Sequence, residues 1–314
     1  MKKYIRKCGK ITDILPLAWI ITFALIILGQ IIGEVFMQMA NGKPPWLDIA
    51  LQYFSFISIW AVGLSTLLFK DNKPMLKALK PNKYKIGNNW RGILFGAAVG
   101  FGMNAFCAVI SMLFKDIGVS FSCFEPLKLI VILFCVMVQS GAEELLCRWY
   151  LLEKLARRYK GPWVPIIGNA MLFALLHFMN PGINFWAVTQ IIVIGVLLSL
   201  LVMYYNSFYA AVFVHTLWNF TQNIIFGLPN SGKVTPYSIF HLDAGSSGFF
   251  FDPGFGIEGT PGSCLVIILV IVLLILNIRK RKLRPIDLWK DTEKEAEQAE
   301  QAKTAEKTAE TVSA

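Results

Sequence analysis

Histidine and paired cysteine are scarce in this sequence of 314 residues. It has three histidines, and none of its six cysteines stands in a Cys-x-x-Cys pair, so neither a disulfide framework nor a thiolate zinc site is indicated. No obvious inverted repeat and no pair of broken hydrophobic helices, both typical of secondary transporters, can be recognised. A proton-coupled transporter, which would use buried carboxylates and imidazoles as relays, is therefore the least favoured function.

Charged residues are nearly absent from eight long stretches of the chain. The composition is 55% hydrophobic, with a mean hydropathy of +0.56, and long uncharged runs indicate transmembrane helices. The first run is longer than a signal-peptide core and has no small-residue cleavage site after it, so it is interpreted as a retained span. The predicted fold is all-α, a polytopic membrane helix bundle of about eight transmembrane helices, with runs at residues 14–36, 47–69, 92–114, 127–150, 163–179, 185–205, 208–227 and 263–279.

Basic residues are sorted to one side of this predicted bundle. The net charge of +10 does not indicate a nucleic-acid partner, because the lysines and arginines cluster in loops between the apolar runs. They lie at the N-terminus, in the second–third loop, in the fourth–fifth loop and after the last run, whereas the loops at 37–46, 115–126, 180–184 and 228–262 are poor in them. The positive-inside rule then predicts a multi-pass protein of the cell membrane with both termini cytoplasmic.

The runs and loops divide the chain into five predicted regions. Two of them are predicted to lie outside the membrane: the extracytoplasmic loop and a low-complexity cytoplasmic tail, which has no apolar face and is predicted to be solvated. In order, the regions are N-terminal helices 1–3 (1–126), a core of helices 4–7 (127–226), the extracytoplasmic loop (227–262), the final helix with its basic stop (263–289) and the tail (290–314).

The fourth run differs from the others because it contains Glu143, Glu144 and Arg148. Each such charge costs at least about 2.5–3.5 kcal/mol on insertion scales, so charges there usually face the protein interior and carry function. Glu144 and Arg148 are four residues apart and can pair on one helix face, which favours a structural clamp. Glu143 lies about 100° round the helix from Glu144 and lacks that partner. We therefore predict that Glu143 performs the chemistry.

Two of the three histidines also lie in apolar runs. Phe173 and His177 are four residues apart, as are His215 and Asn219, so each pair shares a helix face. Counting about 1.5 Å per residue from the inner boundary places Glu143 and His177 at roughly 21–23 Å and His215 at roughly 12 Å. This count predicts that His177 neighbours Glu143. It leaves His215 too shallow unless the fourth helix tilts or kinks.

These groups suit hydrolysis by water. A carboxylate in an apolar cavity is a usable general base, and an imidazole beside an amide can donate hydrogen bonds to a developing oxyanion. Two histidines and one glutamate, here Glu143, His177 and His215, are also a minimal zinc set with an open position for water. The sequence does not separate a zinc-dependent mechanism from a metal-free one.

The three motifs, Glu-Glu-x-x-x-Arg at 143–148, Phe-x-x-x-His at 173–177 and His-x-x-x-Asn at 215–219, resemble those of the CPBP family. This family of CAAX-processing and bacteriocin-processing enzymes, also called Abi, includes the Ras-converting CAAX endopeptidase. The resemblance covers about 127–226 and implies an intramembrane endopeptidase, acting either with a metal or through glutamate alone. By motif it implies that Glu143 activates water beside His177 and that His215 and Asn219 form the oxyanion site, supported by Glu144 and Arg148.

Many members of that family have Phe-Arg-Gly where this chain has Cys147-Arg148-Trp149, which leaves the local helix geometry open. The predicted function is hydrolysis of membrane-associated or lipid-linked peptides, of the CAAX type or the bacteriocin and leader type. Membrane lipid and a peptide or protein substrate are the predicted partners, with possible oligomers undetermined. The alternative is a non-catalytic protein of the same fold, serving in immunity to a bacteriocin or as a scaffold.

Overall fold

The computed structural model describes residues 5–294 together with residues 297, 298 and 301, so most of the predicted tail 290–314 lies outside the described residues. Two π-helical segments, Leu145–Leu151 and Phe220–Ile225, interrupt or extend helices, and two short strands, β1 (Ile117–Phe121) and β2 (Phe240–Gly245), pair antiparallel. The α-helices in the described part are α1 (Leu15–Ala40), α2 (Pro45–Phe54), α3 (Ile57–Ser65), α4 (Trp90–Leu113), α5 (Pro126–Glu144), α6 (Leu152–Arg158), α7 (Trp163–Leu176), α8 (Phe185–Tyr205), α9 (Phe208–Asn219) and α10 (Pro261–Arg281).

The helical membrane fold predicted from the sequence is confirmed. Six helical stretches of the described chain are long and apolar enough to cross a bilayer: Leu15–Ala40, Pro45–Leu68, Trp90–Leu113, Pro126–Arg158, Phe185–Tyr205 and Pro261–Arg281. The two other predicted runs correspond to the shorter helix α7 and to α9 with its π-helical extension. The two-stranded sheet was not predicted.

Local sequence signals set several helix boundaries. Asn89 caps α4 by accepting hydrogen bonds from the backbone N–H groups of Arg91 and Gly92, and Ser207 caps α9 through Ala210. Helix α8 is capped at its C-terminal end by Asn206, whose backbone is left-handed with φ of 49°. Because α8 stops there and α9 starts two residues later, the chain reverses direction sharply and carries the His-x-x-x-Asn motif back into the bundle.

Small residues allow the closest helix contacts. A methyl group added to Gly29 or Gly33 of α1 would collide with Ile59 or with the backbone of Ser55, so these glycines face α2 and α3 of the same chain. Gly96 and Gly100 of α4 meet the backbone of α9 in the same way. Both glycine spacings are therefore used for helix packing within one chain. The largest buried core lies where α8, α9 and α4 pack together.

The connecting segments gather on two opposite faces of the bundle. Strands β1 and β2 join the segment after α4 to the segment after α9. On the other face the N-terminal segment meets the end of α6 and the segment after α10: Arg6 N–H donates to the carbonyl of Arg158, and Arg6 forms an ion pair with Asp287 at 3.0 Å. The face that holds Arg6 also holds the lysine- and arginine-rich segments 69–91, 154–160 and 279–284. We call it the basic face, and the opposite one the sheet face.

Candidate active site

The two glutamates at the end of α5 are held in different ways. Arg148 Nη1 donates to Glu144 Oε1 at 2.8 Å, and both side chains are completely buried. The Glu143 side chain is 21% exposed, and its Oε1 accepts a hydrogen bond from Gln139 Nε2 at 2.6 Å. Its Oε2 has no hydrogen-bond partner in the part of the chain that is described. Glu144 Oε2 is likewise without a hydrogen-bond partner in the described chain, so the two glutamates differ in that Glu144 is fixed in a fully buried ion pair whereas Glu143 is partly exposed.

His215 on α9 lies between these two glutamates. Its Nδ1 is 2.9 Å from Glu144 Oε1, and its Nε2 is 3.8 Å from Glu143 Oε2. Because an ionised carboxylate only accepts hydrogen bonds, Nδ1 carries the proton that faces Glu144. The Glu144–Arg148 pair therefore orients the imidazole so that Nε2 faces Glu143.

The depth count that made His215 too shallow is wrong, and the geometry of α5 and α6 gives the reason. The stretch Pro126–Arg158 is one helical rod of 33 residues, about 50 Å long, against about 30 Å for a bilayer core. Its basic end therefore extends beyond the level at which α9 begins. Counting inward from Arg157 overestimated the distance between Glu143 and the start of α9. No kink at Gly141 is involved, since α5 is regular through Glu144.

His177 is the first residue after α7 and lines the same cavity as Glu143 and His215. Its Nδ1 donates to the carbonyl oxygen of Phe173 at 2.8 Å, which leaves Nε2 available to a ligand. The described chain shows no hydrogen bond between His177 and Glu143. The helix ends earlier than the run 163–179 predicts, so His177 stands at a helix end rather than inside a span.

Phe173 contacts side chains of all three motifs. The guanidinium carbon of Arg148 lies 4.0 Å from the centre of the Phe173 ring, within the range of cation–π contacts. The rings of His177 and His215 are 4.8 and 6.0 Å away in edge-on arrangements. The phenylalanine of the Phe-x-x-x-His motif is therefore the apolar spacer that separates and supports the other groups.

Asn219 is held by amides on both sides. Its Nδ2 donates to Gln139 Oε1 at 3.3 Å, and its Oδ1 accepts from Asn230 Nδ2 at 3.3 Å. Glu258 Oε1 accepts from the same Asn230 nitrogen at 3.3 Å and from Trp218 Nε1 at 3.0 Å. A continuous chain of hydrogen bonds thus runs from Glu143 through Asn219 to the loop between α9 and α10.

The sequence reasoning missed Gln139, Asn230 and Glu258. Gln139 stands four residues before Glu143, a helical spacing that would have identified it. Glu258 carries no such signal because its position depends on the fold of a long loop. Burial raises the pKa of the Glu258 carboxyl group, while hydrogen bonds from the backbone and hydroxyl of Ser231 and from Trp218 oppose that rise.

The motif residues line a cavity of about 590 Å³. Its walls come from α1, α2, α3, α5, α7, α8, α9 and the loop between α9 and α10. Helix α1 supplies mainly apolar side chains, and the motif-bearing helices α5, α7 and α9 with the residue that follows α7 supply Glu143, His177, His215 and Asn219. The structure therefore brings together the four residues that the sequence singled out for chemistry, in a space large enough for a peptide segment.

The fit of a metal ion to these side chains is mixed. Among the residues that the structure describes, no group of three or more His, Cys, Asp or Glu is arranged to hold one. His215 and His177 each donate Nδ1–H to an oxygen and leave Nε2 free, as metal-ligating histidines usually do. The prediction of zinc stays a prediction.

Comparison with known proteins supports the motif-based resemblance. Residues 125–221 match the family described as type II CAAX prenyl endopeptidase Rce1-like. The uncharacterized protein YyaK of Bacillus subtilis (strain 168) is 30% identical over 149 residues, which cover 46% of this chain and 48% of that protein. The chain thus spans about half the length of this curated relative. No solved structure matches. The family match supports a CAAX-type, protease-like function in a multi-pass membrane protein.

Proposed function

We propose that this chain, a membrane helix bundle similar over residues 125–221 to the type II CAAX prenyl endopeptidases, is an intramembrane endopeptidase that uses Glu143 to activate water. The observation that carries the proposal is the free Oε2 of Glu143. This oxygen has no hydrogen-bond partner in the described chain and lies 3.8 Å from His215 Nε2, Gln139 holds the other oxygen of the same carboxylate, and the Glu143 side chain lines the cavity. A fixed carboxylate with one free oxygen in a cavity is what a general base requires.

In the proposed reaction, Glu143 Oε2 accepts a proton from a water molecule as the water oxygen attacks the peptide carbonyl carbon. The carbonyl oxygen becomes an oxyanion and is stabilised by the second Nδ2 proton of Asn219 and by Nε2–H of His215 in its protonated, imidazolium form. Collapse of this intermediate breaks the C–N bond, and Glu143 returns its proton to the leaving amine. Because His177 Nδ1–H donates to Phe173, the Nε2 of its neutral imidazole is an acceptor, and we assign it to orientation of the attacking water by accepting a hydrogen bond from it.

Glu144 and Arg148 act through His215 rather than on the substrate. Removing either partner leaves the other as a buried unpaired charge, at a cost of about 3–5 kcal/mol. Their proposed role is to fix the imidazole plane between the two carboxylates. They are therefore positioning residues.

We further propose that the protein lies in the cell membrane with both termini in the cytoplasm, and that its partners are membrane lipid and membrane-associated or lipid-linked peptides. The lysines and arginines of the basic face support this orientation by the positive-inside rule. Their clustering at loops also supports a membrane partner rather than a nucleic acid.

The test incubates purified protein with a pool of membrane-anchored peptides and measures cleavage. Glu143→Gln is expected to lower kcat about 10²–10⁴-fold, as for loss of a general base. Asn219→Ala is expected to lower it about 10²–10³-fold, as for loss of an oxyanion donor. Glu34→Gln on the exposed side of α1 and His241→Ala on the sheet face are matched controls that keep full activity.

Two results would overturn the mechanism. Cleavage by Glu143→Gln at the wild-type rate would exclude Glu143 as the base. Loss of cleavage on chelation, restored by zinc, would replace the metal-free reaction with a zinc-dependent one. A wild-type protein that cleaves nothing in any lipid would favour the non-catalytic immunity or scaffold function.

A further inference from the structure

The cavity is closed towards the basic face by several layers of buried side chains. Directly beyond Glu143 lie Arg148 and Trp149, both fully buried. Further on, Arg157 forms two hydrogen bonds of 2.6 Å with the buried carboxylate of Asp13, and the Trp289 ring covers its guanidinium at 4.9 Å. These buried layers separate Glu143 from the basic face.

The opposite end of the cavity is built from the loop between α9 and α10. Asn230, Ser231, Lys233, Val234 and Glu258 line the same space as the motif residues. Lys233 and Val234 are exposed, with Val234 at 67%, so this end of the cavity reaches the surface. The mouth of the cavity therefore lies on the sheet face.

The charges of the loops assign this mouth to a side of the membrane. The segment 226–260, which supplies the mouth residues, contains one lysine, Lys233, and no arginine. The segment 69–89 on the basic face contains six lysines. By the positive-inside rule the basic face is cytoplasmic and the mouth is outside the cytoplasm.

The flank of the cavity is apolar and reaches the surface of the bundle. Phe23 and Ile27 of α1 line the cavity and are also 46% and 39% exposed. Towards its beginning α1 is joined to α7, where Trp19 Nε1 donates to the Gly168 carbonyl at 2.9 Å. An apolar flank beside a polar mouth fits a peptide that continues from water into the membrane.

We infer that the site takes its substrate from the extracytoplasmic side of the membrane. The substrate class is a membrane-anchored peptide whose scissile stretch lies just outside the bilayer, next to its apolar anchor. This inference rests on the proposed endopeptidase function. It separates the chain from an enzyme that trims lipidated protein tails in the cytoplasm.

The first arm of the test labels the mouth with a membrane-impermeant maleimide in oriented vesicles of the full chain. The background is Cys123→Ser, since Cys123 is the only one of the six free cysteines that is not buried. Val234→Cys is expected to label in right-side-out vesicles and not in inverted ones, and Lys77→Cys on the basic face is expected to do the reverse. Labelling of Val234→Cys from the cytoplasmic side alone would overturn the inference.

The second arm measures cleavage of two reporters with one membrane anchor each, carrying the same peptide either outside or in the cytoplasm. Only the outside reporter is expected to be cut. Attaching a bulky maleimide to Val234→Cys is expected to abolish that cleavage, whereas attaching it to Ser246→Cys, exposed on the same face but away from the cavity, is not. Cleavage of the cytoplasmic reporter would overturn the inference. If neither reporter is cut, the endopeptidase proposal fails and the labelling arm alone decides the side of the mouth.

Discussion

Gln139 connects the proposed base to the proposed oxyanion donor through one amide group. Its Nε2 donates to Glu143 Oε1, and its Oε1 accepts from Asn219 Nδ2. The hydroxyl of Ser140 also donates to Gln139 Oε1, at 3.1 Å, which favours this orientation of the amide over the flipped one. Two groups that belong to different helices are thus aligned by a single residue of α5.

Gln139→Leu is expected to lower kcat about 100-fold, because a displacement of about 1 Å in a reacting group costs that much. The leucine keeps the volume but removes both hydrogen bonds, so kcat is expected to fall more than KM rises. Steady-state kinetics on a cleavable membrane peptide measure the two constants. Gln38→Leu, on the exposed side of α1, is the matched control. Equal losses in both variants would contradict a positioning role for Gln139.

Glu258 makes the loop at the mouth sensitive to pH. Burial raises the pKa of this carboxyl group, and the nearby His177 lowers it in part. A carboxyl group whose pKa is higher in the folded state stabilises that state fully below its unfolded pKa, and the stabilisation is lost as the pH rises through the folded value. The loop is therefore held most tightly in acid, and it loosens as Glu258 ionises.

Hydrogen exchange of the backbone around Ser231 is expected to become faster as the pH rises, beyond the intrinsic increase of exchange with pH. Glu258→Gln keeps the hydrogen-bonding shape without an ionisable group, so this excess is expected to disappear. Glu125→Gln is the control on the same face, since the hydrogen bond from Lys128 holds the pKa of Glu125 below its ordinary range. If exchange in Glu258→Gln still accelerates beyond its intrinsic pH dependence, a group other than Glu258 causes the loosening.

At the residue scale, helical spacing predicted which motif residues share a face. It indicated the Glu144–Arg148 pair and placed Glu143 apart from it. It did not predict Asn230 or Glu258, because these residues reach Asn219 through a loop whose path is set by tertiary contacts. Asn219 and Glu258 are 39 residues apart and are connected through Asn230, and such a connection leaves no periodic pattern in the sequence.

At the scale of elements, α4 holds α9 in place through glycine. Gly100 faces the backbone of Val214, one residue before His215, whereas a methyl group added to Gly102 would meet nothing. These two glycines of one helix therefore form a matched pair. One is required by a close approach of two helices, and the other is not.

Gly100→Val is expected to destabilise the protein by about 1–3 kcal/mol, the usual cost of overpacking, and to reduce cleavage by displacing α9. Gly102→Val is expected to leave both almost unchanged. Thermal unfolding in detergent and the peptide cleavage assay measure the two effects. Similar melting temperatures for the two variants would show that α4 does not constrain α9.

Apolar runs predicted the order of the helices, although six and not eight stretches of the described chain are long and apolar enough to span a membrane, and the helix irregularities at the site were not predictable. Each π-helical segment begins directly after a motif residue, Leu145 after Glu144 and Phe220 after Asn219. Such segments occur often at functional sites and carry no sequence signature of their own. The sheet was missed for a similar reason, since β1 and β2 are short and pair across more than 110 residues.

At the scale of the whole molecule, the two faces of the bundle have different tasks. The sheet face admits substrate in our proposal, and the basic face closes the cavity. The closure uses both ends of the described chain: Trp289 is almost completely buried, covers Arg157 and donates to Glu153 Oε2 at 3.2 Å. Cys8 lies in the same buried apolar cluster, and its thiol donates to Glu293.

Trp289→Ala is expected to open the basic face and to cost about 3–5 kcal/mol, as large aromatic truncations do. In the intact protein, burial raises the pKa of Cys8 to about 12, so little reactive thiolate exists near neutral pH. Each unit by which that pKa falls on exposure increases the thiolate about tenfold, so labelling of Cys8 by a maleimide is expected to accelerate steeply. Trp163→Ala, which removes an exposed tryptophan on the same face, is expected to leave Cys8 unreactive. If Cys8 stays protected in Trp289→Ala, the cavity is closed by the buried Asp13–Arg157 pair without the help of Trp289.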